Sequence, residues 1–265
     1  MQWAVFGAGL VGSYLGAAGG ASHACRRRQG PLRERVCLAD GVREWAPQPF
    51  PQQTGEMPVL VASRAHHTPW QHCQPHWLAA QNGLGQGLPV LVCFLAVDRD
   101  AEGRIVSSTG SPPRVVCGPV AASWQPIFQA WRGAGLVVET VADIRPAQWE
   151  KAILNATLGP LCLASGRSMP EVMADATARQ LVLAGLAEGE AIAAANGIAL
   201  APDLQPRALA FFNAMGDHRP SVLNDPAELA WVLPPLLAAA QRQRLPAPAL
   251  QEIFARASSL CQGPC

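Results

Sequence analysis

Residues 2–21 read QWAVFGAGLVGSYLGAAGGA and decide the fold of the first half of the chain. A short apolar segment, residues 2–6, reads as a buried strand and runs directly into Gly7-Ala8-Gly9-Leu10-Val11-Gly12, which opens a helix of small residues. This order is typical of dinucleotide binding, because Gly7 permits the tight turn, Gly9 lets the backbone approach a pyrophosphate and Gly12 lets helix and strand pack closely. We therefore predict a Rossmann-type fold with a pyrophosphate on the helix N-terminus, where free N–H groups favour an anion.

The next strand is expected to end in the residue that contacts the cofactor ribose. An acidic residue there suits the free 2′-hydroxyl of NAD, whereas arginine suits the 2′-phosphate of NADP. Residues 23–30 read HACRRRQG, with three arginines and no carboxylate. The segment therefore favours NADP, with Arg28 as the residue that binds the phosphate and Arg26 or Arg27 as alternatives. A solvated charge run is the other interpretation of the same arginines.

Strand and helix patterns alternate up to about residue 142. Buried strands are predicted at residues 57–62, 89–97 and 136–141, and an amphipathic helix at residues 122–134. Residues 29–56 show little periodicity, and no element is predicted there. Beyond residue 142 the pattern is helical only, which marks a domain change. We expect an α/β chain with an NADP-binding Rossmann-like domain at residues 1–142 and an all-helical substrate domain at residues 143–265.

The helical half is divided by capping and breaking signals. Its first helix carries Lys151 and is predicted to end at Gly159-Pro160. Ser168 and Glu171 form a capping-box pattern that opens a long helix to about residue 196. The remaining helices are predicted at residues 203–214, 226–243 and 247–260.

Lys151 is the only lysine in the chain, and the other nineteen of the twenty Lys+Arg residues are arginine. A lysine ammonium can give up and regain a proton, whereas a guanidinium stays charged. Asn155 lies four residues on, so both side chains share one helix face. The pattern indicates a lysine that takes part in proton transfer. The alternative is a structural lysine at a helix end whose side chain extends along the helix to reach solvent.

Composition excludes several classes of protein. A net charge of +1 argues against a nucleic-acid surface, and no apolar run reaches transmembrane length. The eight cysteines contain no CxxC pair, and the N-terminus has no basic leader, so we expect a cytoplasmic protein with reduced thiols. The histidines at residues 66–76 do not have the spacing of a zinc site, so no metal is predicted.

Four ordered motifs resemble those of ketopantoate reductase, or 2-dehydropantoate 2-reductase. They are GAGLVG at residue 7, QNGLG at 81, WEKAILNATLGPL at 149 and PSVLNDPAE at 220. The resemblance covers most of the chain and rests on the order and spacing of all four motifs. It implies a Rossmann domain joined to a helical domain, with the active site between them, and NADPH-dependent reduction of ketopantoate to pantoate on the way to pantothenate and coenzyme A.

The resemblance also implies roles for individual residues. Lys151 corresponds to the general acid that polarises the carbonyl, and Asn82 to the asparagine beside the nicotinamide and the reacting centre. Asn155, Ser221 and Glu228 correspond to the residues that hold the carboxylate and hydroxyl of the substrate. Arg64 stands where the family tends to carry a lysine after its third strand, among the cofactor-binding residues.

The sequence departs from the family in the substrate half. The family's second asparagine on the lysine helix is Gly159 here, and its EIDxxNG run is replaced by residues 228–234. Glu228 also reads as a capping glutamate behind Asp225 and Pro226. The alternatives are therefore a paralogous reductase of another 2- or 3-keto acid, or an NADP-binding sensor that has lost catalysis. The apolar stretch at residues 229–237 is compatible with a homodimer.

Overall fold

The computed structural model describes residues 2–26, 31–84, 88–216 and 218–261. The chain forms two compact units, Met1–Gln81 with Gln86–Ile144, and Asn82–Gly85 with Arg145–Cys265. We call them the N-terminal and the C-terminal domain. The N-terminal domain is mixed α/β with a parallel sheet, and the C-terminal domain is helical. The predicted fold class, a Rossmann-type domain followed by a helical domain, is confirmed.

The strands of the N-terminal domain are short. In chain order they are β1 (Ala4–Phe6), β2 (His23–Cys25), β3 (Glu34–Leu38), β4 (Gly41–Trp45), β5 (Gln48–Pro49), β6 (Val59–Val61), β7 (Leu78–Ala79), β8 (Leu91–Phe94), β9 (Val97–Arg99), β10 (Ile105–Ser107), β11 (Arg114–Cys117) and β12 (Val137–Thr140). Within the described residues, β5-β2-β1-β6-β7 form a sheet whose neighbouring strands are all parallel. From β1 the chain adds β2 and β5 on one side of the sheet and β6 and β7 on the other. The order of the strands therefore reverses between β1 and β6, and open α/β sheets bind ligands at such a switch point.

The other strands correct two predictions. Residues 29–56, for which no element was predicted, contain β3, β4 and β5. β3 and β4 pair as an antiparallel hairpin with Leu38 opposite Gly41. The predicted strand at residues 89–97 is two strands, β8 paired with β11 and β9 paired with β10. A continuous apolar run does not show where the chain leaves one sheet for another, because residues 90–97 are buried on both sides of the break, apart from the half-buried Cys93.

Two helices, α1 (Leu10–Gly19) and α2 (Gln125–Gly133), pack together in the N-terminal domain. Tryptophans form the contact: the ring of Trp3 lies edge-on to Trp124 and Trp131 at centroid distances of 6.3 and 6.2 Å. Trp131 also donates its indole N–H to the carbonyl of Leu15 at 2.8 Å. These buried contacts hold α1 against α2, and with it the N-terminus of α1, which follows β1 in the chain.

The C-terminal domain consists of helices around one central helix. They are α3 (Arg145–Ser165), α4 (Met169–Ala174), α5 (Ala176–Ala195), α6 (Leu204–Ala214), α7 (Ser221–Asn224), α8 (Leu229–Arg242) and α9 (Pro248–Cys261). Helix α3, which carries Lys151, packs against α4, α5, α7, α8 and α9. Among the helices of the described chain, none has both the length and the apolar character needed to cross a membrane.

The prediction that Gly159-Pro160 ends the lysine helix is wrong, because α3 continues to Ser165 with Pro160 inside it. A proline in a helix interior removes one backbone hydrogen bond and costs about 3 kcal/mol. Leu158 and Leu161 on either side are buried, and burying one such side chain contributes roughly 1.5–3 kcal/mol. Packing in the centre of the domain therefore outweighs the local cost of the proline.

Two further helix boundaries differ from the prediction. The long helix from residue 168 is divided at Asp175, which has an extended backbone and caps α5 by accepting a hydrogen bond from the N–H of Ala178 at 3.0 Å. The capping box at Ser168 and Glu171 is present at the start of α4. The predicted helix at residues 226–243 begins as a 3-10 turn, Pro226–Glu228, and only then becomes α8.

Candidate active site

The glycine loop after β1 has the geometry that its sequence predicts. Gly7 has a φ of +96°, and a Cβ there would lie 2.2 Å from the backbone nitrogen of Ser63, just beyond β6. A Cβ on Gly12 would lie 2.3 Å from the carbonyl oxygen of Gly7. The N–H groups of Gly7 and Ala8 donate to the carbonyl of Cys25 at 3.1 and 2.8 Å, which ties the loop to the end of β2. Backbone therefore touches backbone where only glycine fits.

Gly9 differs from these two glycines because nothing lies within 4 Å of the position its Cβ would take. It is the N-cap of α1, and no side chain caps this end of the helix. The N–H groups of the first turn, at Leu10, Val11 and Gly12, have no acceptor within the helix. Open space in front of free N–H donors is what a pyrophosphate needs, so this end of α1 fits a dinucleotide.

The arginines after β2 are only partly described. Arg27 and Arg28, the predicted reader of the 2′-phosphate, lie outside the described residues. Arg26 donates from Nη2 to the carbonyl of Pro31 at 3.1 Å, and its Nη1 lies 3.7 Å from Glu34 Oε1. Its Nε is buried without a hydrogen-bond partner among the described residues. The guanidinium of Arg26 therefore lies next to the end of β2, close to the carboxylate of Glu34.

A polar network connects the segments that follow β6 and β7. The side-chain amide of Gln81 donates to the carbonyl of Ser63 and to the hydroxyl of Thr68, each at 2.6 Å. The hydroxyls of Ser63 and Thr68 are hydrogen-bonded to each other at 2.8 Å. Arg64 lies in the same segment, where its carbonyl accepts from Thr68. Sequence reasoning missed Ser63 and Thr68, although both are hydroxyl residues close behind a buried parallel strand.

Helix α3 carries the predicted site residues Lys151 and Asn155, and then Gly159, at intervals of four residues, so the three positions lie along one face. Lys151 and Asn155 are partly exposed, while Gly159 is buried. The ammonium nitrogen of Lys151 lies 5.1 Å from the centroid of the Phe211 ring on α6. Phe211 was not among the predicted site residues.

Ser221 is the first residue of α7, the short helix that packs against α3. It is exposed, whereas its neighbours Pro220 and Val222 are buried. A Cβ on Gly159 would lie 3.5 Å from a carbon of each of these two neighbours. Next to Gly159, therefore, the surface between α3 and α7 is apolar.

Asn82 and Glu228 are hydrogen-bonded, although 146 residues separate them: Nδ2 of Asn82 donates to Oε1 of Glu228 at 2.7 Å. Asn82 groups with the C-terminal domain. Glu228 is a buried carboxylate with 8% of its surface exposed. At the predicted cap, Asp225 makes no side-chain capping hydrogen bond to the turn of Pro226–Glu228. The carboxylate of Glu228 thus contacts a predicted site residue, and this contact favours the site interpretation over the cap.

Comparison with known proteins identifies the helical half. Residues 143–260 match the model of the family described as ketopantoate reductase PanE/ApbA C terminal. The C-terminal domain belongs to the ketopantoate reductase family. The resemblance predicted from the four motifs is thereby confirmed, and the family is one of oxidoreductases. No curated protein matches the sequence significantly.

Solved structures of ketopantoate reductases share the fold along the whole chain. The 2-dehydropantoate 2-reductase of Geobacter metallireducens GS-15 is 23% identical, with a TM-score of 0.81 and coverage of 98% of this chain and 100% of that one. The dimeric ketopantoate reductase of Staphylococcus aureus is 16% identical, with a TM-score of 0.76 and 99% of each chain covered. D-mandelate dehydrogenase, solved with NADH and anilino(oxo)acetate, is 15% identical, with a TM-score of 0.76 and 98% of each chain covered. These likenesses show the fold.

Proposed function

We propose that this protein is an NADPH-dependent reductase that converts the 2-keto group of ketopantoate to the hydroxyl of pantoate, a step toward pantothenate and coenzyme A. The observation that carries the proposal is the chain's sole lysine, Lys151, on the central helix of the domain that matches the family. Asn155 lies one turn along the same face. A general surface cation would not need lysine in a chain that otherwise uses arginine.

The chemistry of ketone reduction explains the choice of lysine. When bound, NADPH supplies the hydride, and negative charge then develops on the ketone oxygen. The Lys151 ammonium stabilises that charge and gives its proton to the oxygen. An arginine could stabilise the same charge, but its guanidinium does not release a proton. We therefore assign general-acid catalysis to Lys151.

The remaining polar residues orient the substrate in this proposal. Asn155 and Ser221 hydrogen-bond the carboxylate of the keto acid, and Glu228 accepts a hydrogen bond from its hydroxyl. Asn82 hydrogen-bonds the reacting centre near the nicotinamide. Its contact with Glu228 at 2.7 Å supports a shared site for these two residues. A buried carboxylate is expected to have a partner, and the asparagine amide provides one.

The proposed cofactor is NADP, held by residues 7–12 through the N-terminus of α1. The geometry of Gly7, Gly9 and Gly12 supports a dinucleotide, and D-mandelate dehydrogenase of the same fold was solved with NADH. The preference for the 2′-phosphate rests on the three arginines at residues 26–28, with Arg28 as its expected reader and Arg64 as a further cationic contact.

The direct test compares two substrates that differ by one hydroxyl. Purified protein is supplied with NADPH and either ketopantoate or trimethylpyruvate, which lacks that hydroxyl, and cofactor oxidation is followed by absorbance. We expect kcat/KM to favour ketopantoate by roughly 10²-fold or more, because a site built to bind a hydroxyl strongly rejects an analogue without it. Equal turnover of the two acids would contradict the assigned substrate. Binding of NADPH without turnover of any keto acid would favour a sensor.

A second candidate is a reductase of a different 2-keto acid whose substituent is hydrocarbon alone, without a hydroxyl. The observation that favours it is Gly159, which stands where the family carries asparagine and lies beside Pro220 and Val222. Loss of an amide leaves an apolar surface that suits hydrocarbon better than a hydroxyl. Faster turnover of 2-ketoisocaproate than of ketopantoate would establish this candidate.

We also propose a homodimer in a reducing compartment, the cytoplasm. The Staphylococcus aureus relative is described as dimeric, and the six cysteines whose side chains the structure describes are free thiols. Light scattering of the purified protein tests the dimer, and a monomer at micromolar concentration would contradict it.

A further inference from the structure

The side chain of Phe211 gives the Lys151 ammonium a defined partner. The nitrogen lies 5.1 Å from the ring centroid, within the range of about 6 Å over which an aromatic face attracts a cation. Phe211 is only partly buried, so this contact lies at the edge of the domain core. Its neighbour Phe212 is 4% exposed and belongs to the core. The two adjacent phenylalanines therefore differ in position: one is buried among core residues and the other reaches the lysine.

Helix α6 is held in place one turn before Phe211. Nη1 of Arg207 pairs with Oε1 of Glu150 at 2.6 Å, and Glu150 is the residue next to Lys151 on α3. The same guanidinium donates to the carbonyls of Ala201 and Pro202 at 3.1 and 3.0 Å. Arg207 thus connects the start of α6 to the part of α3 that carries the lysine. Because residues four apart share a helix face, Phe211 lies on the side of α6 that Arg207 fixes.

We propose that Phe211 is the positioning residue for Lys151 in proton transfer. The inference rests on the reductase activity proposed above and names a residue that the activity requires. A lysine side chain is long and flexible, and holding its ammonium in one place costs conformational entropy. The face of a benzene ring attracts the ammonium without competing for its proton as a carboxylate would. Phe211 therefore orients the donor without itself accepting the proton.

The sole lysine makes the contact directly measurable. Reductive methylation with carbon-13 formaldehyde labels Lys151 and the chain's α-amino group, and the label leaves the lysine charge in place. A methyl group over a ring face has a resonance shifted upfield by the ring current, so the Lys151 signal in the full-length protein is expected upfield of free dimethyl-lysine. Phe211→Leu should return it to the free position, and Phe211→Tyr should keep the shift. A wild-type signal at the free position, or a shift that survives Phe211→Leu, would overturn the proposal.

Kinetics separate positioning from packing. Phe211→Leu is expected to lower kcat by roughly three- to thirty-fold, the range that a cation–π contact implies, with an unchanged KM for NADPH. Phe211→Tyr should restore most of the rate. Phe212→Leu is the matched control, one residue along: it should lower stability and leave kcat and the Lys151 resonance unchanged. If Phe211→Tyr were as slow as Phe211→Leu, positioning by the ring would be refuted.

The two measurements also distinguish this proposal from the proposed function. If the wild-type protein reduced no keto acid, the reductase assignment would fall. The resonance of Lys151 would still decide whether the ring of Phe211 holds its ammonium.

Discussion

The glycine loop of the N-terminal domain and the packed helices of the C-terminal domain depend on glycine in different ways. In the N-terminal domain the space beside Gly7 is occupied by backbone, 2.2 Å from where a Cβ would lie. In the C-terminal domain the space beside Gly189 on α5 is occupied by a side chain, with Ile153 Cγ2 at 2.6 Å. Main-chain atoms just beyond the end of a paired strand have little room to move aside, whereas a side chain can change rotamer or be replaced. The sequence of the nucleotide loop is therefore fixed by its backbone geometry, whereas side chains that pack in the helical domain can be exchanged.

Within the two sites, this difference matches where the sequence departs from the ketopantoate reductase pattern. The glycine pattern of residues 7–12 is intact, and the altered positions of the substrate half, Gly159 and residues 228–234, lie in the helical domain. The residues proposed for chemistry, Lys151 and Asn155, are retained there. A domain packed by side chains can keep its reactive groups and still change the shape of the surface around them.

The largest expected effect on stability is that of Gly7→Ala. A positive φ of +96° is strained for any residue with a Cβ, and the new atom would overlap the backbone of Ser63. We expect a loss of about 2–5 kcal/mol in the free energy of unfolding, from left-handed strain and overpacking together, measured by urea denaturation.

Gly9→Ala is the matched control for Gly7→Ala. Its φ of −78° accommodates alanine and its Cβ would lie in open space, so stability should be unchanged. NADPH binding should nevertheless weaken by about tenfold or more, because the methyl group occupies the approach of the pyrophosphate. Equal stability of Gly7→Ala and Gly9→Ala would contradict the claim that backbone atoms fill the space beside Gly7 and leave the space beside Gly9 open.

A smaller loss is expected for Gly189→Ala in the C-terminal domain. Its Cβ would lie 2.6 Å from Cγ2 and 2.9 Å from Cγ1 of the buried Ile153, which must shift. We expect about 1–3 kcal/mol of destabilisation. Combining it with Ile153→Ala should cost less than the sum of the two single changes, by roughly 0.5–3 kcal/mol. Strict additivity in that double-mutant cycle would show that the contact with Ile153 does not cause the loss of stability in Gly189→Ala.

Gly159→Ala is expected to have the smallest effect. The Cβ would make ordinary contacts of 3.5 Å with Pro220 and Val222, and alanine is more favourable than glycine in a helix interior. Pro160 follows, however, and a proline ring disfavours the helical backbone of a preceding residue that has a Cβ. The two effects oppose each other, so the free energy of unfolding should change by less than about 1 kcal/mol, measured by urea denaturation. A loss of more than about 2 kcal/mol would mean that α3 and α7 lie closer together than their contacts indicate.

Much of this architecture could be read from local pattern. The strand, glycine loop and small-residue helix of residues 2–21 predicted β1 and α1, because each glycine has its own steric reason. The hairpin of β3 and β4 was missed although Asp40-Gly41 between apolar residues is a turn signal. The continuation of α3 past Pro160 was not predictable locally, because burial in the centre of the domain outweighs the residue's own preference.

The candidate site was predictable only in its parts. Lys151 and Asn155 follow from one helix and its period. The contact of Asn82 with Glu228, and that of Phe211 with Lys151, join residues from separate segments of the chain. Such pairs depend on how helices pack, which no local window of sequence contains. In sequence, Phe211 cannot be told apart from its neighbour Phe212, which is a buried core residue.

The central claim is that Lys151 donates a proton, and Lys151→Arg tests it most directly. The substitution keeps the positive charge and removes the ability to release a proton. With NADPH and the best keto-acid substrate, we expect kcat to fall by about two to four decades, the range of general-acid catalysis, while the affinity for NADPH is retained. A Lys151→Arg protein that reduces the keto acid at nearly the wild-type rate would contradict the account.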